Sequence, residues 1–140
     1  MIAMMVLVGS IAVTTRAQSI RHRQMNASIP FQFNVGDKTL PAGEYTVHQL
    51  NPGSDVATLQ IRSKDGSNSA VVQMISATRF RQESARLIFR RYGNRYFFAQ
   101  AWVDLENSGL EAPKSRAERA ARSEMAGIKA KTETVALRNR

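Results

Sequence analysis

The sequence predicts an all-β protein: an antiparallel β-sandwich or small barrel of about six or seven strands, with a cleaved N-terminal signal segment and a C-terminal helix. Three observations predict it. Apolar residues recur at spacing two between Ile29 and Val103, as strands with one buried face require. Each run ends in a turn rich in Gly, Pro, Asp or Asn. The runs follow one another without the helical crossover that joins parallel strands.

Ile29, Phe31, Phe33 and Val35 alternate with Pro30, Gln32 and Asn34, giving one apolar and one polar face. Pro30 suits an edge strand or a strand's opening, where its missing N–H costs little. Gly36-Asp37 and Leu40-Pro41-Ala42-Gly43 are turns, the second with proline presetting φ for a type I turn. Tyr45, Val47 and Gln49 then share a strand face, and Asn51-Pro52-Gly53-Ser54 turns the chain again. Ala57, Leu59 and Ile61 line the next strand, followed by the turn Lys64-Asp65-Gly66-Ser67. In the return strand Ala70, Val72 and Met74 oppose Val71 and Ile75; apolar residues on both faces predict a central strand.

Ala77 to Ala85 reads as a connection, and Leu87–Tyr92 with Tyr96–Val103 as a hairpin about Gly93-Asn94. Alternation places Leu87, Phe89, Phe97, Ala99, Ala101 and Val103 on one face and Tyr96, Phe98 and Trp102 on the other. One core of Phe31, Phe33, Leu59, Ile61, Val72, Leu87, Phe89 and Phe97 is expected.

Past Val103 the composition turns polar. Ser115 with Glu118 is a capping box, alanines 117, 120, 121 and 126 favour helix, and Gly127 stops it. Lys114–Glu118 and Glu118–Arg122 fall at i,i+4, each pair contributing a few tenths of a kcal/mol. A face of alanine buries little, so a helix over Ser115–Ala126 is expected to dock loosely or stand free. Residues 128–140 lack a pattern and are expected to fray. The expected organisation is a signal peptide over 1–17, a flexible lead-in over 18–25, an antiparallel β domain over 26–105, and a polar linker, short helix and frayed tail over 106–140.

Residues 2–13 are apolar and uncharged, too short for the roughly 20 residues that span a bilayer as a helix. Thr15-Arg16-Ala17 then presents small residues at the −3 and −1 positions of a cleavage site before Gln18. The basic opening of a signal peptide is missing, so Met1 is read as internal to a longer signal. The expected location is exported, periplasmic or extracellular, with no transmembrane span in the mature chain. Cysteine is absent, which excludes disulfides, a lipoprotein anchor thiol, a thiolate nucleophile and Cys-ligated metal.

The blocks IPFQFNVGDKTLPAGEYTV (29–47), LIFRRYGNRYFFAQAW (87–102) and APKSRAER (112–119) resemble an uncharacterised family of small exported bacterial proteins. The resemblance covers roughly residues 26 to 120 and implies export and a β-rich domain. It implies no activity, ligand or catalytic residue.

The net charge of +9 divides evenly, an excess of three lying in each of residues 1–23, 24–105 and 106–140. Such a spread is not a nucleic-acid footprint, and no nucleic-acid partner is expected. The densest patch is Arg79, Arg81, Arg86, Arg90, Arg91 and Arg95, interleaved with Phe80, Phe89 and Tyr92. It offers a candidate anionic-ligand surface for an envelope polymer or lipid headgroups; the competing reading is arginines that merely keep a sheet face soluble.

No catalytic, cofactor-binding or metal-binding set emerges. His22 and His48 are far apart, and no Gly-x-Ser-x-Gly elbow or Gly-rich phosphate loop is present. The function expected is a non-catalytic binding or envelope-associated structural domain. The alternative is a small hydrolase or isomerase using His48 or paired carboxylates such as Glu44 with Asp55 or Glu83.

Overall fold

The structure, a computed structural model, describes residues 24–51, 56–77, 84–102, 109–127 and 129–139. The expected signal segment and most of the lead-in lie outside the described residues. Ten strands and one helix occur among them: β1 Met25–Ile29, β2 Phe33–Val35, β3 Lys38–Leu40, β4 Gly43–Gln49, β5 Ala57–Ser63, β6 Ser69–Ala77, β7 Arg86–Tyr92, β8 Arg95–Trp102, β9 Gly109–Glu111, α1 Arg116–Glu124 and β10 Lys131–Asn139.

Eight strands close a barrel in the order β8-β7-β10-β1-β4-β5-β6-β9 and back to β8, every neighbour antiparallel. Closure removes the free edges that a sandwich would leave, and resolves the sandwich-or-barrel choice for the barrel. The strand count exceeds the six or seven expected, because β1 and β2 are separate and β9 and β10 were not foreseen. Pro30 ends β1 one residue after Ile29, and Phe33 resumes as a different strand. The β2–β3 hairpin, turned at Gly36-Asp37, pairs β2 in parallel with β8 at Tyr96 and Phe97. β9 takes the same edge of β8 at Gln100 and Ala101.

The interior is filled by side chains, as expected for a barrel of eight strands. Ile29, Phe33, Leu40, Tyr45, Leu59, Ile61, Met74, Leu87 and Phe89 are fully buried. Phe33 meets Tyr45 and Phe89 edge-on with centroids 5.1 and 5.4 Å apart, and Phe89 meets Phe98 at 5.8 Å. Edge-to-face pairs of this kind add about 0.5–1.5 kcal/mol each beyond area burial. Phe31, between β1 and β2, stacks on Tyr96 at 3.9 Å and meets Phe89 at 5.0 Å.

Two parts of the expected core are corrected. β8 carries one extra residue opposite Ile88–Phe89, so Phe98 faces Phe89 and Ala101 faces Leu87, with Ala99 unpaired between them. The bulge puts Phe98 inside, while Phe97 joins Tyr92 and Ala121 in a second cluster outside the barrel. On β6, Val71 and Ile75 are 55% and 59% exposed, so that strand has one solvated face rather than two buried ones. Phe31 and Val72 are only partly buried against the core.

The tail is not an appendage. β10 lies between β1 and β7, with Val135 opposite Leu87 and Leu137 opposite Ala27, both side chains buried. It is a wall of the barrel, correcting the expectation that these residues fray. The chain reaches it from β9 by crossing the outer faces of β8 and β7, and α1 is that crossing. The helix is therefore docked. Ala121 is fully buried, and Ala117 and Met125, one turn to either side, pack on the Tyr92–Phe97 cluster.

Candidate functional site

α1 is fixed at both ends by turns of the barrel. Ser115 Oγ accepts from Glu118 N at 3.1 Å, and Asp37 Oδ1, in the β2–β3 turn, accepts from Ala117 N at 3.1 Å. These satisfy two of the free N–H groups of the first turn and put negative charge at the helix's positive end. At the other end Arg95, beside the β7–β8 turn, pairs with Glu124 at 3.0 Å.

The reciprocal half of the expected capping box is absent because Glu118 is turned inward. It is 2% exposed, and both its carboxylate oxygens accept from Arg90 Nε, at 2.9 and 3.2 Å. A charged donor beneath the helix outcompetes a neutral backbone N–H for a carboxylate. Glu118 is consequently absent from the two i,i+4 pairs the sequence offers. Lys114 and Arg122 make no ion pair within 4.0 Å among the described residues, nor do Arg119 and Lys129.

These cations converge. Arg90, Lys114, Arg119, Arg122 and Lys129 line an open cleft of about 860 Å³ between α1 and the chain that returns to β10, and no acidic residue lines it. Tyr92 and Met125 supply an apolar floor. Arg119 Nη2 donates to the Lys114 carbonyl at 3.3 Å, which draws its guanidinium toward the head of the helix. Burial pushes the Tyr92 phenol above its ordinary value of 10.0 and Glu118 adds to that, while Arg90 and Arg122 oppose it.

Of the arginines singled out from the sequence, the four described ones have separate partners. Arg79 and Arg81 lie outside the described residues. Arg90 and Arg91 point to opposite faces of β7: Arg90 goes under the helix, whereas Arg91 lies 5.4 Å from the Tyr96 ring and pairs with Glu133 at 3.4 Å. Arg86 donates to Ser84 O and Ser84 Oγ, both at 3.2 Å, and Arg95 is held by Glu124. Of these four, only Arg90 lines the cleft. Lys114, Arg119, Arg122 and Lys129 were missed as site residues because the sequence offers Glu118 as partner to two of them. The available signal was a basic helix whose first turn holds a single acid.

Of the carboxylate and histidine candidates weighed for catalysis, Glu44 and His48 are among the described residues. Asp55 and Glu83 lie outside the described residues. Glu44 is exposed and its Oε1 accepts from Ser28 Oγ, while half-buried His48 is four residues along β4, opposite Gln60. Among the described residues no three His, Cys, Asp or Glu gather as a metal-ligand set, and no helix is long and apolar enough to cross a membrane. No protein-family model, curated protein or solved structure matches the chain.

Proposed function

We propose that the protein is an exported, non-catalytic β-barrel domain that binds an anionic component of the cell envelope, polymer or lipid headgroup, on its outer surface. The observation that carries this reading is the cleft beside α1, lined by five basic residues and no acidic one, four of the five having no ion-pair partner among the described residues. Like charges gathered in a concave, partly apolar site raise the local concentration of anions and favour their capture. The barrel interior, packed with Phe33, Tyr45, Phe89 and their neighbours, directs attention to the outside of the wall. Export rests on the apolar run 2–13 and Thr15-Arg16-Ala17, and on the resemblance of the three sequence blocks to exported bacterial proteins.

The test is co-sedimentation of the purified protein with anionic and neutral envelope components across a salt series. Retention by the anionic components that weakens as salt rises supports the reading. Equal retention by neutral and anionic components, or none by either, rejects it.

A further inference from the structure

We propose that the cleft beside α1 is a site for a phosphate group bearing two or more negative charges, clamped by Arg119 and Arg122 with Lys114 and Lys129 at the rim. This rests on the anion-binding reading above and narrows it to a chemical class.

The first ground is charge accounting within the cleft. Of the two acids on α1, Glu118 is committed to Arg90 underneath and Glu124 to Arg95 at the far end. Among the described residues, Lys114, Arg119, Arg122 and Lys129 have no acidic partner within 4.0 Å. Four cations lining one cleft repel one another, and an incoming anion relieves that repulsion only in proportion to the charge it carries. A single carboxylate supplies one charge; a phosphomonoester or pyrophosphate supplies about two or more in one compact group.

The second ground is geometry. Arg119 and Arg122 stand at i,i+3 on α1, so their stems leave neighbouring points on one helix face, about 5–6 Å apart at Cβ. Two guanidinium groups carried on one helix face suit a tetrahedral group, whose several oxygens can accept from both. A carboxylate has only two oxygens in one plane, and a single bidentate fork engages both. Arg119 donates to the Lys114 carbonyl, which holds its guanidinium at the head of the helix, and Lys114 lines the same cleft. Lys129, on the returning chain, lines the same cleft. Arg90 also lines the cleft, but its charge is already met by acids: Glu118 holds its Nε, and Glu111 Oε1 lies 3.9 Å from its Nη1. Its role is positioning, since by retaining Glu118 it prevents that acid from neutralising Lys114 or Arg122.

The experiment measures binding of inorganic pyrophosphate to the full chain by titration calorimetry. The comparison ligand is polygalacturonate, a carboxylate polymer, and a second arm uses phosphatidylcholine vesicles with and without phosphatidic acid. The variants are Arg119→Gln/Arg122→Gln, Lys114→Gln/Lys129→Gln, and the control Arg62→Gln/Arg138→Gln, which removes the same charge from exposed strand positions. Loss of two charge-assisted contacts should weaken pyrophosphate binding by about tenfold or more in either cleft variant and leave the control near the parent. Thermal melts confirm that each variant is folded, and failure of one cleft variant to fold leaves the other to decide. Binding to pyrophosphate and phosphatidic acid alike supports a phosphate site open to lipid headgroups. Binding to pyrophosphate alone supports one for soluble phosphate esters. Equal weakening in the control overturns the site, because the attraction is then net charge. Binding of polygalacturonate without pyrophosphate overturns the phosphate assignment and leaves the general reading standing, and failure of every anion rejects both.

Discussion

Replacing Arg90 with methionine tests how the helix is held and why the cleft is cationic. Met keeps most of the aliphatic stem and removes the charge. Glu118, 2% exposed, then loses the donor that serves both its oxygens. Breaking a buried ion pair from one side costs about 3–5 kcal/mol, because the remaining charge stays desolvated. Arg90 is itself 16% exposed, and Glu118 can swing toward Lys114 or Arg122 and recover about 0.2–0.5 kcal/mol, so a loss near the lower bound, about 3 kcal/mol, is expected. For a domain of this size that lowers the melting temperature by roughly 10 °C. Arg90→Met/Glu118→Leu removes both charges and should return to within about 1 kcal/mol of the parent or exceed it. Urea melts followed by fluorescence of the single tryptophan, the buried Trp102, give both quantities by linear extrapolation. An Arg90→Met variant within about 0.5 kcal/mol of the parent would refute the buried-pair account, and so would a double variant equal to the sum of its singles.

Leu137→Ala should cost about 2–5 kcal/mol, as for other buried leucines, and chain lacking residues 131–139 should show no cooperative melt; an unchanged urea midpoint in the first would remove β10 from the wall. Gly109→Ala should destabilise by about 1–3 kcal/mol, because a Cβ there would lie 2.5 Å from the Trp102 indole; thermal melting with near-ultraviolet dichroism of Trp102 reads it. Asp65, whose carboxylate accepts from Ser67 Oγ at 2.6 Å and Ser63 Oγ at 2.7 Å, is lowered from 3.8 to about 2. A depressed carboxyl stabilises the fold fully above its unfolded value and loses that contribution as pH falls through about 2. The melting-temperature difference between parent and Asp65→Ala should therefore shrink from pH 5 toward pH 2, and a constant difference would sink the assignment.

The sequence made the barrel wall legible wherever a strand's partner was its neighbour in the chain. Tyr45 and Val47, then Leu59 and Ile61, alternate inward across tight turns as their spacing predicts. Alternation failed at Phe97 and Phe98 because one inserted residue reverses every later side chain, and nothing in ArgTyrPhePheAla marks the position of a bulge. It failed at Lys131–Asn139 for a different reason. That strand carries only Val135 and Leu137 as large apolar residues, and its partners β1 and β7 lie far back in the chain. Its stability comes from those distant neighbours, which leave no local trace. The site was obscured by the same kind of non-locality. Glu118 has i,i+4 cations on its own helix, yet its partner, Arg90, is on β7.

These misreadings share a structural cause in the path from β9 to β10. The two strands flank β8 and β7 on opposite sides, so the connecting chain has to cross both, and whatever crosses covers their outer faces. Phe97 and Tyr92 face outward there and require an apolar lid; Arg90, beside them, requires an acid. α1 supplies both with Ala117, Ala121 and Met125 for the rings and Glu118 for the guanidinium. A helix has only one inward face, however, and spending its central acid there leaves the flanking Lys114, Arg119 and Arg122 without one. Lys129 joins them because the returning chain must pass alongside α1 to enter β10. The basic cleft is thus a consequence of how the barrel closes: the crossing that brings the chain to β10 is also the crossing that docks α1 and leaves those cations outside.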